Sequence, residues 1–492
     1  MFNKIRQKYQ EAKISNNVSL PSLPPANEIT KKHIYQNRYN HGVNFGSLFL
    51  LESYMYDSLF SSGGDNEYDA ISAQIQNSSV DDVARKLAEH YQSFPTDQDW
   101  EWLKNEADIT AIRIPIGYWH VENGAFVTDS MKFSDIKEVY EKAKPWDYFK
   151  TIVEKARSYE IGVLIDLHGL PGGANGDAHS GEGNGQGATF FRNEEYVKTV
   201  AKKILPFIVD GVCKENENII GLQIVNEAGF NNSPTGEKRY YAMAVNNIRK
   251  IDPTLPIAIS DGWWPEQWAD WLKEVGLSND VVIDSHVYRC FSEEDRGKSA
   301  TQIIEELPNT INFPKDKADY VVGEFSCVLD EATWNKTDRN RDESVVDFGS
   351  TQTKLFQERA SWGWFFWSLK FEHGDGGEWG FVPMVNKGAI PKRHRNKPTV
   401  GDDAIRDIIN EHIGYWKDKG GENFEHWRFE DGIKTAVQDI ISFSNFNNSR
   451  VGRTHFWKNA RREQYIGEKG DSEYMWEWEQ GYERALNEFN KY

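Results

Sequence analysis

Short, near-continuously apolar runs recur along this chain, each closing on a polar residue, with amphipathic stretches between them. The runs are Gly42–Gly46, Thr110–Ile116, Gly162–His168, Ile219–Glu227, Pro256–Gly262, Val281–Tyr288, Tyr320–Phe325 and Gly363–Ser368. A strand with one face in water alternates apolar and polar residues; a parallel strand buried on both faces does not. These runs are of the second kind. Segments of helical period fall between several of them: Val80–Tyr91, Pro145–Tyr159, Asn193–Val209, Lys238–Ile251 and Ser350–Ala360. Eight strand–helix units in succession predict an α/β fold, a single (β/α)₈ barrel.

The flanks extend this plan. Residues 1–40 are polar, with Pro21, Pro24 and Pro25, and read as an N-terminal arm. The barrel domain is expected over 41–445, with a long Gly-, Glu- and Trp-rich loop at 370–425 and a closing helix over Phe429–Phe443. Residues 446–492 read as a C-terminal extension packed on the barrel. Tyr474, Trp476, Trp478 and Tyr482 would form its docking face.

The polar residues that close the runs are Asn44, Arg113, His168, Asn226 with Glu227, Asp261, His286 with Tyr288, Glu324 and Trp367. In a (β/α)₈ barrel the C-terminal strand ends form the active-site face. A single polar strand end is usually a capping or packing residue. A polar end on every strand points to a site.

Composition narrows the chemistry. Fifty-seven basic residues against 76 acidic ones leave a net charge of −19, which disfavours nucleic acid and anionic membranes as partners. The aromatic fraction of 13% suits stacking on the flat apolar faces of sugars, although any one ring is more often core. Cys213, Cys290 and Cys327 are scattered and lack CxxC spacing, so neither a disulfide framework nor a zinc site is expected. The N-terminus lacks the apolar core of a secretory signal, and no run is long enough for a membrane span, so a cytoplasmic protein is expected. Gly181–Gly187 is glycine-rich but fits neither GxGxxG nor a P-loop.

Glu227 and Glu324 close the fourth and seventh runs. Those strands face one another across an eight-stranded barrel, so the carboxylates can meet. Glycosidases that retain anomeric configuration need such a pair about 5–5.5 Å apart, one to protonate the leaving oxygen and one to attack the anomeric carbon. Asn226 can bond the sugar 2-OH, Arg113 can hold a nucleophilic carboxylate ionised, and Tyr288 can donate to it. The imidazoles of His168 and His286 can bond hydroxyls without adding permanent charge.

The stretches GVNFGSLFLLE (42–52), IRIPIGYW (112–119), IDLHGLPGGANG (165–176), IVNEAG (224–229), DSHVY (284–288), VVGEFS (321–326) and WGWFFWSLK (362–370) occur in an order that resembles glycoside hydrolase family 5. Fungal exo-β-1,3-glucanases and their cytoplasmic relatives are the nearest members. The resemblance spans residues 42–370. It implies Glu227 as acid/base and Glu324 as nucleophile, with Arg113, His168, Asn226, His286 and Tyr288 around the −1 sugar and Trp367 as its stacking platform. Glu52 matches a carboxylate that grips a terminal glucose in exo-acting members, and Phe291 matches one ring of an aromatic pair at the entrance.

The chain departs from that family at the entrance. The second ring falls near Asp177, His179 replaces an amide, and Phe325 stands where Trp is usual after the nucleophile. The glucose pocket should survive these changes, whereas the leaving-group side should differ. The expected activity is retaining, non-reducing-end hydrolysis of β-glucosides or β-1,3-glucan oligosaccharides, with no cofactor or metal. Three alternatives are a glycolipid or steryl β-glucosidase, an endo-glucanase, and a catalytically idle barrel that binds sugar or protein. Intact Glu227, Glu324, Asn226 and Tyr288 argue against the last.

Overall fold

The computed structural model describes residues 22–183, 187–279, 281–393, 396–417 and 419–491. Part of the glycine-rich stretch and about half of the expected N-terminal arm therefore lie outside the described residues. The chain divides into two compact units, one over Asn40–Arg393 and one joining residues 22–39 to 396–491.

The first unit is a closed barrel of eight parallel strands in sequence order, β1 to β8. They are β1 Asn40–Asn44, β2 Ala111–Gly117, β3 Gly162–Gly169, β4 Ile219–Gln223, β5 Ile257–Ser260, β6 Val281–Val287, β7 Asp319–Phe325 and β8 Gly363–Phe366. Every expected run overlaps its strand. All residues of β1 to β5, β7 and β8 are buried, the two-sided burial that their continuous apolarity demands. β1 pairs with β8 through Asn40 and Gly363, which closes the sheet. A Cβ at Gly363 would lie 2.0 Å from the Asn40 carbonyl oxygen, so only glycine allows this contact.

The outer helices start where side chains cap them. Ser79 accepts from the Asp82 amide at the head of Val80–Ser93, and Pro145 opens Pro145–Ser158. The expected helix over Asn193–Val209 runs on to Cys213, with π turns at Val200–Ile204 and Val209–Cys213 on either side of Pro206. Proline removes an N–H from the ladder, and wider turns accommodate that loss.

The second unit redraws the expected boundaries. The stretch 370–425 is not one loop: it contains the helices Phe381–Lys387 and Asp402–Lys417. In the latter Ile405, Ile408, Ile409, Ile413 and Trp416 recur at helical spacing, although only Ile408 is buried. The boundary expected at 445 separates two helices that are tightly packed together, His426–Ser444 and Met475–Phe489. A Cβ on Gly432 would meet the Trp478 carbonyl at 2.2 Å, and one on Gly481 the Phe429 carbonyl at 2.0 Å. Those glycines let the backbones touch and make the two helices one core. Trp478 stacks on Tyr482 at 5.1 Å, so that pair belongs to the unit's own interior. The buried Asp439 carboxylate ties the core together, accepting from Trp457, Tyr482 and Arg461.

Candidate active site

The site is built on polar side chains inside the barrel unit, and Arg113 organises it. This fully buried β2 residue uses its whole guanidinium. Nη1 donates to Glu324 Oε1 at 2.9 Å and Asn44 Oδ1 at 2.8 Å, and Nη2 to Asn226 Oδ1 at 2.7 Å. Nη2 also lies 2.9 Å from Asp166 Oδ2, and Nε donates to Gln223 Oε1 at 3.0 Å. Burial opposes the positive charge, but Asp166, Glu324 and Asp284 outweigh it and raise the pKa above its ordinary value.

Glu324 ends β7, nearly buried. Its Oε1 accepts from Arg113 and its Oε2 from the Tyr288 hydroxyl at 2.9 Å. Both oxygens therefore face donors. A register shift between Ser285 and His286 in β6 sets His286 beside Glu324 in the strand pairing. Imidazole Nδ1 of His286 then stands 2.6 Å from Glu227 Oε1 and 3.5 Å from Glu324 Oε2. One oxygen of each glutamate lies within 4.8 Å of the other.

Glu227 follows β4 with a left-handed backbone, φ 41°. For a non-glycine residue that costs on the order of 1–3 kcal/mol, and it persists only where neighbours hold it. Asn175 Nδ2 donates to the Glu227 carbonyl at 2.9 Å, and the Ala228 amide to Ser260 Oγ at 3.0 Å. The side chain meets two imidazoles, His286 at Oε1 and His179 at Oε2, the latter 3.1 Å away. Burial raises its pKa, but the bonds from His179 and His286 prevail and hold it well below the carboxylate range.

Two Asp-x-His pairs support this layer. Asp166 Oδ2 meets His168 Nδ1 at 2.7 Å, and Asp284 Oδ2 meets His286 Nε2 at 3.0 Å. Both ring nitrogens of His286 thus face carboxylates. Burial lowers its pKa, but Glu324, Asp284 and Glu227 raise it well above the ordinary value. Carboxylates at both ring nitrogens favour the charged form of His286. Asp284 also accepts from the Gly323 amide at 2.7 Å and from Gln223 Nε2 at 2.6 Å. A Cβ on Gly323 would stand 2.3 Å from Asp284 Oδ1, so glycine is required there.

Trp367 follows β8, almost buried, and donates from Nε1 to the Tyr54 hydroxyl at 2.5 Å. Phe291 is 63% exposed and tilts over Trp379 at 6.3 Å. Phe325 is fully buried among Phe356, Trp364 and Phe366 and contributes to packing. Asp177, where a second entrance ring was sought, has a largely exposed side chain 3.7 Å from His179. Gln223, Asp284, Asp166, Asn175 and Tyr54 were not read as site residues from sequence. The repeated Asp-x-His spacing inside apolar strands was the available signal, because residues two apart share a face.

Glu52 is half-buried. Burial lifts its carboxyl to about 8, with His179 pulling down and Glu324 and Glu227 pushing up. That shift favours its neutral form at neutral pH. This raised pKa gives stability that is complete below about 4.5 and lost as pH rises through about 8. Glu52→Gln should remove the dependence: its melting temperature should match wild type near pH 5 and exceed it near pH 9. Parallel melting curves across that range would show that Glu52 titrates normally.

A closed parallel barrel with Glu227 and Glu324 brought together beside the buried Arg113 is an arrangement suited to a glycoside hydrolase. The model of the cellulase family, glycosyl hydrolase family 5, matches residues 68–373, and the chain belongs to that family. A second model, the glucan 1,3-beta-glucosidase 3 C-terminal domain, matches residues 399–492, within the second unit. The chain is 54% identical to an uncharacterized glycosyl hydrolase of Saccharomyces cerevisiae, over 100% of both chains. It is 30% identical to glucan 1,3-beta-glucosidase 3 of Schizosaccharomyces pombe, covering 88% of this chain and 92% of that one. The rutinosidase structure from Aspergillus niger shares the fold, with TM-score 0.55 and 19% identity over 72% of this chain and 98% of that one. Among the described residues, no helix is long and apolar enough to cross a membrane.

Proposed function

We propose that this glycoside hydrolase is a retaining β-glucosidase that releases glucose from the non-reducing end of β-glucosides, β-1,3-glucan oligosaccharides included. The observation that carries the reading is the Glu227–Glu324 pair, with oxygens within 4.8 Å and Glu324 held between Arg113 and Tyr288. So close an approach of one oxygen from each leaves less room for the water that inverting enzymes seat between carboxyl groups roughly 6.5–9.5 Å apart. In the first step Glu324 attacks the anomeric carbon, the glycosidic C–O bond breaks and Glu227 gives its proton to the departing oxygen. In the second step water attacks that carbon, Glu227 takes the water's proton and the bond to Glu324 breaks.

Trp367 stacks beneath the −1 sugar in this reading, Asn226 and His168 bond its hydroxyls, and protonated Glu52 donates to a terminal hydroxyl. The likeness to glucan 1,3-beta-glucosidase 3 supports glucose as that sugar. Proton NMR during hydrolysis of an aryl β-glucoside should show β-glucose first, and laminari-oligosaccharides should yield glucose from the earliest time point. Initial α-glucose would overturn retention; early oligosaccharide release would mean endo action.

One observation favours a second reading, a glucoside with an apolar aglycone such as a glycolipid or steryl glucoside. Phe230 and Trp264, on the loops after β4 and β5, are exposed and stack at 6.3 Å. Trp263 is 51% exposed at φ 65°, an unusual conformation for a bulky residue. Rings at that end of the barrel suit an apolar leaving group. Higher kcat/KM on steryl glucosides than on laminaribiose in the same screen would select this reading.

A further inference from the structure

The proton that Glu227 gives must come from a neighbour, because the imidazoles facing both its oxygens hold it as the carboxylate. The hydrogen-bond pattern around His179 fixes where. Arg113 donates to Asn226 Oδ1, so the Asn226 amide nitrogen faces His168 Nε2, 3.0 Å away. His168 Nδ1 meets the Asp166 carboxylate and so carries the hydrogen. His168 Nε2 is therefore an acceptor, and it lies 3.4 Å from His179 Nδ1. On its other side His179 Nε2 faces Glu227 Oε2 at 3.1 Å and Asp177 Oδ2 at 3.7 Å. Glu227 and Asp177 accept at Nε2. The one lone pair of His168 Nε2, already taken by Asn226 at 3.0 Å, is shared with His179 Nδ1 at 3.4 Å, so the ring suits a hydrogen on Nε2 and a weaker, shared one on Nδ1.

Building on the glycosidase reading, we propose that His179 is a positioning residue that holds the catalytic proton for Glu227. The imidazolium passes its Nε2 proton to Glu227 Oε2, and Glu227 gives that proton to the glycosidic oxygen as the C–O bond breaks, which leaves a neutral His179 and the Glu227 carboxylate. When water attacks in the second step, its proton returns through Glu227 to His179 Nε2, so the cycle balances. His179 touches no substrate in this scheme and acts only through Glu227.

The groups that face His179 are Asp177 on its own loop, His168 at the end of β3 and Glu227 after β4, while Glu52 after β1 adds a charge only as pH rises through about 8. Burial lowers the His179 pKa, but the contacts with Asp177 and Glu227 and the charge of Glu227 raise it well above the ordinary value. Proton storage thus persists to higher pH than an ordinary histidine would allow. Glu227 also keeps His286, itself anchored on Asp284, as a second neighbour, so losing His179 weakens acid catalysis without abolishing it.

The experiment compares wild type with His179→Asn on an alkyl β-glucoside and on dinitrophenyl β-glucoside, across pH. For the alkyl substrate kcat/KM should fall about ten- to a hundredfold, and the basic limb of its profile should move down by roughly one pH unit or more. For the dinitrophenyl substrate, whose leaving group needs no proton, kcat/KM should stay within about threefold. Equal losses on both substrates with an unmoved basic limb overturn the role of His179 and leave the glycosidase reading standing. Absence of turnover by wild type on every aryl glycoside sinks that reading instead. A second measurement needs no turnover and no His179 variant that folds well. In ¹⁵N-histidine spectra His179 should carry hydrogen on both nitrogens at neutral pH, and its titration midpoint should drop by a unit or more in Glu227→Gln. A midpoint indifferent to Glu227→Gln overturns the shared proton.

Discussion

Glu324→Ala should lose turnover by about 10⁴-fold or more, and a small anion should restore part of it. The magnitude follows from the role: without a nucleophile the covalent intermediate cannot form, and effects of that size accompany loss of a catalytic nucleophile. Rescue follows from the surroundings. Arg113 Nη1 and the Tyr288 hydroxyl converge on the two oxygens of Glu324, so truncation leaves both donors around an empty space. His286 Nδ1, 3.5 Å from Oε2, adds a third polar group to its wall. Azide entering there approaches the anomeric carbon from the face that Glu324 used. The product should be α-glucosyl azide, inverted relative to a β-glucoside, because only one displacement has occurred. Product NMR checks it. Turnover near wild type without azide would show that Glu324 is not the nucleophile, and a β-glucosyl azide would place the attack on the opposite face.

How far such a site can be read from sequence depends on which contacts define it. The strands were legible because burial on both faces leaves each run apolar from end to end, and the polar ends mark the active-site face. Glu227 and Glu324 stood out as the acidic ends of β4 and β7. The aim of each side chain was not legible. His286 reaches both glutamates through a register shift in β6, and nothing in VVIDSHV announces an irregularity. The left-handed turn at Glu227 rests on Asn175 and Ser260, both remote in sequence. The charge on His286 arises from carboxylates contributed by three strand ends, which no local pattern encodes. The division after Arg393 was hidden for a similar reason. It depends on Gly432 and Gly481 bringing two helices into backbone contact, a long-range event that the local pattern of either helix does not reveal.

Glu227→Ala should separate the two chemical steps, because acid catalysis matters only to the first leaving group. An alkyl β-glucoside departs as an alkoxide unless it is protonated, so its kcat/KM should fall about 10²–10⁴-fold, the range general acid catalysis supplies. Dinitrophenolate leaves unaided, and kcat/KM for its glucoside should stay within about tenfold. The same variant lacks the base for the second step, so kcat on that activated substrate should drop and the glucosyl-enzyme should accumulate. Azide needs no base. It should raise kcat and give β-glucosyl azide, the opposite anomer from that expected with Glu324→Ala. The two variants therefore control one another: exchanged roles for Glu227 and Glu324 would exchange the azide products. The mutation also removes the carboxylate that both His179 and His286 face, so each imidazolium loses a counter-ion. Their titration should move to lower pH, and the pH dependence left in kcat/KM should no longer show the basic limb of the wild type. Equal losses on alkyl and dinitrophenyl glucosides would show that Glu227 supports the fold of the site rather than proton transfer.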